Sequence, residues 1–317
     1  MQHQKPISPK YLLIIILSVF AGMNVTAQNE TPKKITIGDH IFTPITYSPL
    51  PSTNTYINTL AGFGQTINLF HSITLNEDLG VIGLDGEVTF VDVYFGYQQR
   101  IRDWLAAYIR LGMSARLGTE FQSILVQGIN SVTSFGIGWH FKILEGDKFA
   151  FSATAELQNS AGSFINILGF VKDILDDHPY PKIMESVPVL TVGSSLRFAY
   201  GFNEFIGMSA TTDLAYGETY IRGENGLSFT AGAGVDLDFY PKYSVPLGLI
   251  VHYNITSQPE FVIVDGKSAH ILKVKLAYTK ASDFSLGLEY AIMKVPLRNV
   301  KNDPIVYSFA LASRFYF

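Results

Sequence analysis

Charged residues make up only 16% of this chain, and many stand at alternate positions of apolar or small-residue stretches. Asp92, Arg110, Arg116, Glu156, Arg197, Asp213, Asp236, Asp238, Lys273, Lys275, Glu289 and Arg314 all have that setting. Two kinds of chemistry suit such a set. Opposite charges on neighbouring segments pair and stiffen a water-filled interior, or their distribution selects solutes crossing a pore. Asp236 and Asp238, two apart on one face, suit a cation or a pair of basic partners equally well. The histidines, His3, His40, His71, His140, His178, His252 and His270, include no close pair at metal-ligand spacing. No phosphate loop or dinucleotide fingerprint is present. No cofactor, metal site or catalysis is expected.

The elements that position these charges have a period of two. A strand turns successive side chains to opposite faces. In residues 227–240, Leu227, Phe229, Ala231, Ala233, Val235, Leu237 and Phe239 face one way. Ser228, Thr230, Gly232, Gly234, Asp236 and Asp238 face the other. The final stretch does the same: Ile305, Tyr307, Phe309, Leu311, Phe315 and Phe317 oppose Ser308, Ala310, Ala312 and Arg314. The pattern is far from helical. It recurs in twelve segments: 58–73, 86–99, 103–118, 131–144, 148–158, 185–200, 205–216, 226–240, 244–257, 268–280, 283–294 and 304–317.

Connections between them alternate in length. Those at 99–102, 145–147, 201–204, 241–243 and 281–282 are short; those near 74–85, 119–130, 159–184, 217–225, 258–267 and 295–303 are long. An even strand number with both termini on one side puts every short turn at one end. Aromatic residues cluster towards both ends, with Trp104, Trp139, Phe141, Phe239 and Phe284 at one and Tyr216, Tyr253, Tyr290 and Tyr307 at the other. Amphipathic rings favour membrane interfaces in that arrangement.

The first 27 residues read as an export signal: Lys5 and Lys10, an apolar run over 11–23, and Val25-Thr26-Ala27 before a cut at Gln28. The run is short of the ~20 residues a membrane helix needs. Cleavage leaves 21 basic against 27 acidic residues, and no basic patch of the kind that tracks nucleic acid. There is no cysteine, which excludes a disulfide scaffold and thiolate metal sites. Residues 28–57 carry Pro32, Pro44, Pro49 and Pro51 and read as either a disordered leader or a plug folded into something larger.

A last strand ending on Phe317, with Phe315 two residues before it, resembles that of Gram-negative outer-membrane β-barrel proteins of the transporter or porin kind. The resemblance implies an all-β fold: a transmembrane antiparallel up-and-down β-barrel of about 12 strands over residues 58–317, lipid outside. It also implies outer-membrane localisation and an assembly machinery that reads Phe315 and Phe317. The same alternation with its apolar face inward would be a soluble exported β-sandwich or lipocalin-like barrel. Twelve strands give a lumen between a filled barrel and an open aqueous channel. Architecturally the chain resembles fatty-acid-transporter barrels, in which an N-terminal hatch fills the lumen. His71–Ser72 and His252 with Asn254 resemble the triad of the outer-membrane phospholipase, but that family's nucleophile spacing is absent.

Within the longest loop, Phe164, Ile167, Leu168, Val171, Ile174 and Leu175 recur at three and four residues, with Ser163 as a cap. A short amphipathic helix over 162–177 would gate the mouth, dock on the outer leaflet or pack as a loop. Residues 80–86 and 124–128 add apolar loop residues, suggesting a hydrophobic vestibule. Leu249 is expected to face lipid, so that exchange for Arg costs ~2–4 kcal/mol there and far less at Gly248. The functional expectation is passive passage of small solutes, hydrophobic ones among them. A non-transporting anchor or receptor for a partner protein is the alternative.

Overall fold

The structure, a computed structural model, describes residues 34–76, 80–117, 128–165, 170, 173–176, 178–219, 224–257, 268–296 and 303–317. A small hairpin, β1 (Thr36–Ile37) and β2 (His40–Ile41), precedes the barrel. The barrel strands are β3 (Tyr56–Asn76), β4 (Gly80–Arg102), β5 (Leu105–Leu117), β6 (Gly128–Glu145), β7 (Phe149–Ile165) and β8 (Met184–Gly201). They continue with β9 (Ile206–Glu218), β10 (Asn225–Asp238), β11 (Leu247–Thr256), β12 (Ala269–Tyr278), β13 (Phe284–Lys294) and β14 (Ile305–Tyr316). Each pairs antiparallel with its chain neighbours, and β14 closes on β3 with Phe309 opposite Phe63. A one-turn helix, α1 (Tyr240–Tyr243), sits in the β10–β11 turn. All twelve alternating segments are barrel strands.

The last strand shows which face looks where. Phe309 and Leu311 are 53% and 52% exposed, while Ala312 and Arg314 on the opposite face are 1% and 3% exposed. The same inversion runs round the barrel: Leu111, Leu157, Leu196, Leu214, Val235, Val251, Leu276 and Leu288 are exposed. Gln98, His140, Thr154, Arg197, Asp236, His252, Lys275 and Glu289 are buried. A soluble sandwich or lipocalin-like barrel has the opposite arrangement. Presenting a girdle of leucine, valine and phenylalanine to water carries a heavy hydrophobic penalty. In hydrocarbon that penalty vanishes, and barrel closure leaves no strand edge unpaired.

Two loop expectations are corrected. Residues 74–85, read as a long loop, are largely strand, because β3 and β4 keep pairing beyond a bulge between Thr66 and Leu69 as far as Asn76 and Gly80. The apolar run 80–86 therefore belongs to β4. Continued backbone pairing outlasts the side-chain alternation that marks a strand in sequence. Likewise β7 runs to Ile165, so Ser163 and Phe164 are strand residues, paired with Ser186 and Glu185, rather than the start of a helix. Helical turn is described at residues 173–175, where Ile174 and Leu175 are 50% and 78% exposed. Ile167, Leu168 and Val171 lie outside the described residues, as do positions 124–127 of the second apolar loop.

Candidate functional site

Residues 34–55 run across the short-turn end of the barrel and touch most of its circumference. Lys34 Nζ donates to the Thr279 carbonyl (2.9 Å) and its backbone N–H to Ser282 (2.8 Å), in the β12–β13 turn. The Gly38 N–H donates to Asp147 in the β6–β7 turn (3.0 Å). Gly38 has φ +59°, a left-handed conformation that glycine adopts freely, and it lies against Gly201 too closely for a Cβ. His40 bridges the Glu204 carbonyl (3.2 Å) and Asp236 Oδ1 (3.1 Å). Thr53 Oγ1 donates to the Asp103 carbonyl (2.9 Å), and Gln98 Nε2 donates to the Ser52 and Asn54 carbonyls (2.8 and 2.9 Å).

Two wall carboxylates hold the middle of this segment. Asp236 Oδ2 accepts the Thr43 N–H at 2.7 Å. Glu289 Oε1 accepts both the N–H and the hydroxyl of Thr46, at 3.0 and 2.7 Å. Lys275 Nζ pairs with Glu289 (3.1 Å) and donates to the Pro44 carbonyl (2.8 Å). All of these groups are buried. A buried charge is tolerable only when paired and hydrogen-bonded, and here the segment's own backbone completes the set. Burial pulls the Lys34 ammonium down to about 8, against the attraction of Asp238 and Asp283.

The remaining charges selected from sequence divide into groups. Arg110 pairs with Glu156, which also accepts from the Tyr108 hydroxyl (2.9 Å). Asp213 accepts from Ser195 Oγ. Asp238 is held by the Tyr240 N–H (3.1 Å) and Thr279 Oγ1 (3.0 Å), so it caps a turn and does not share a ligand with Asp236. Lys273 Nζ lies 5.3 Å from the Tyr47 ring, and Arg314 stacks 4.5 Å from the Tyr56 ring. Asp92 stands opposite Ser114, and Arg116 opposite Phe90, on the β4–β5 pair. Phe315 packs on Phe284 at 4.6 Å, and the Phe317 N–H donates to the Thr55 carbonyl (3.1 Å).

The inner face also holds residues that charge alone did not single out: His40, Thr43, Thr46, Tyr47, Tyr56, Asn58, Tyr94, Gln98, Tyr108 and His140. Tyr94 and Tyr108 share strand parity with Asp92 and Arg110, and that parity was the signal available. The inward glycines are seats for these side chains. A Cβ on Gly138 would meet the Tyr108 ring at 2.6 Å, and one on Gly207 would meet His40 and Phe42 at 2.5 and 2.7 Å. Gly248 is another such seat: its Cβ would lie 2.6 Å from Thr43 Oγ1 and 2.7 Å from Thr279 Cγ2, which counts against the expectation that an exchange costs far less here than at Leu249. A cavity of about 10 Å³, room for roughly one water, remains between Thr46, Pro49 and the wall of Tyr56, Tyr94, Tyr108 and Arg110.

No protein-family model matches the chain, and no curated protein matches it in sequence. Solved structures do. The NanC porin superposes at a TM-score of 0.50 with 7% identity over 82% of this chain and all of the porin. An outer membrane channel from Pseudomonas putida F1 superposes at 0.51 with 12% identity, over 87% of this chain and 99% of that one. The fold is that of an outer-membrane channel barrel.

Residues 34–55 lie at the short-turn end, the end that faces the periplasm in outer-membrane barrels. Rings cluster at that end, with Trp104 on Phe141 and Phe205 on Phe239 and Tyr243. Tyr290 on Tyr307 and Tyr253 on His270 mark the other. Both belts sit where interfacial aromatics anchor such barrels.

Proposed function

We propose that this chain is exported by a cleaved signal peptide, residues 1–27, and inserts in the outer membrane as a channel for small solutes moving down their gradient. Residues 34–55 act as its plug, and Phe315 and Phe317 are read by the barrel-assembly machinery. The observation that carries the reading is the seating of Thr43 and Thr46 on Asp236 and Glu289, two buried wall carboxylates inside a barrel whose apolar face is outside. A wall that only needed stiffening would pair its charges with one another; these are completed by a separate stretch of chain. The exposed turn at residues 173–175 lies in a long outer loop, where it would guard the opposite mouth.

The absence of cysteine makes a clean test possible. Thr43→Cys with Gly248→Cys places two thiols in contact, within reach of a disulfide. Oxidised protein in planar bilayers should be silent, and reduction should give openings. Equal current in both states would remove the plug. Silence in both states would favour the second reading, a non-conducting barrel that anchors or receives a partner, for which the filled periplasmic half is the supporting observation.

A further inference from the structure

We propose that the barrel interior contains an anion site built on Arg197, which takes a small monoanion: a halide in the closed barrel, or the carboxylate head of a solute. Arg197 projects from β8 and is 3% exposed. Among the described residues its guanidinium makes no ion pair, although five other Lys or Arg side chains do. Arg110, which lines the same cavity, is paired with Glu156, while its Nε has no hydrogen-bond partner among the described residues. Asp213, the carboxylate whose field reaches Arg197, is turned to Ser195. A buried guanidinium without a counter-charge is among the costliest arrangements a protein interior can hold. Here the missing partner has a place to sit.

That place is the small cavity beside the N-terminal segment. Arg197, Arg110, Asn58, Tyr56, Tyr94 and Tyr108 line it, and no acidic side chain does. With Arg110 paired to Glu156, the unpaired Arg197 guanidinium leaves the cavity with surplus positive charge, which favours an anion, and Arg geometry suits a carboxylate in particular. The cavity is small, about 10 Å³, so a bulky anion such as phosphate or sulfate meets the seated segment. Surplus positive charge nearby points the same way: neither Lys273 nor Arg314 makes an ion pair among the described residues, and each lies over a ring, Tyr47 and Tyr56. Thr46 and Pro49 of the segment form one wall of the cavity, so the size of the bound anion and the seating of the segment are coupled. This coupling rests on the plug reading; the site itself does not.

The test uses the full-length mature protein in detergent. Crystals soaked in sodium bromide should show anomalous density against Arg197. Calorimetric titration with sodium acetate should give saturable binding, weakened about tenfold or more by Arg197→Gln and restored in part by Arg197→Lys. Lys280→Gln, at an exposed turn, should leave binding unchanged. Bromide density confined to exposed basic residues, or acetate binding equal in wild type and Arg197→Gln, would overturn the site. Wild-type crystals keep the question answerable if the glutamine variant does not fold. None of these readouts depends on conduction, so a silent barrel that binds bromide at Arg197 would sink the channel and leave the site standing.

Discussion

At the short-turn end of the barrel the inward side chains are large, polar or charged, and engaged: Asp236 with His40, Glu289 with Lys275 and Thr46, Gln98 with the Ser52 and Asn54 carbonyls. Further towards the long loops the inner face keeps Asp92, Arg116 and Asp213 but also carries small hydroxyl and amide groups that bond among themselves. Thr230 donates to Thr256 (2.7 Å) and Gln158 to Ser160 (3.0 Å). Side chains of one half bond to a separate segment of chain, whereas Thr230 with Thr256 and Ser195 with Asp213 bond within the wall. Strand alternation therefore builds the wall, while the charges that the wall leaves open decide where it is closed.

Two adjacent residues of β13 set the halves and faces against each other most sharply. Glu289→Ala strands Lys275 and the Thr46 N–H in the interior, a loss of about 3–5 kcal/mol for a broken buried pair. Hydrogen exchange should then quicken at Thr43 and Thr46 while the barrel strands stay protected. Leu288→Arg, one position earlier and facing outward, should instead cost ~2–4 kcal/mol of barrel stability in lipid, read by urea unfolding in vesicles, with the segment undisturbed. Were the two variants to give the same exchange pattern, the division into wall and plug would be lost. At the chain's end, Phe317→Ala should lower the amount of assembled barrel in the outer membrane without altering the segment; unchanged levels would remove the assembly signal.

The smallest effect concerns Lys34. Its folded value of about 8 lies below the ordinary 10.5, so between those limits the unfolded chain binds more protons than the folded one. Seating of the segment should tighten as pH rises from about 8 towards 10.5, seen as a higher protection factor at Thr43 once the base-catalysed intrinsic rate is divided out. Lys34→Met should flatten that dependence.

Much of this barrel was legible in sequence because lipid demands a strict period of two. All twelve strands, their closing parity and the inward setting of Asp236, Glu289, Lys275 and Arg314 follow from alternation. Strand lengths did not follow, since β3, β4 and β7 continue on backbone hydrogen bonds where no lipid face imposes a pattern. The partners of the inner charges were also hidden. Nothing local in Thr43 or Thr46 marks it as the complement of a carboxylate nearly 200 or more residues away, as the separations of 193 and 243 show. Glycine was misread for the same reason: Gly248 is small to admit Thr43, a contact no spacing reveals.

The most direct test of a channel closed by its own N-terminal segment is single-channel recording of the mature chain beside a variant lacking residues 34–55. The intact barrel should be closed for most of the record, and the deletion should hold a steady open current. An intact barrel that already carries the same steady current would contradict the account.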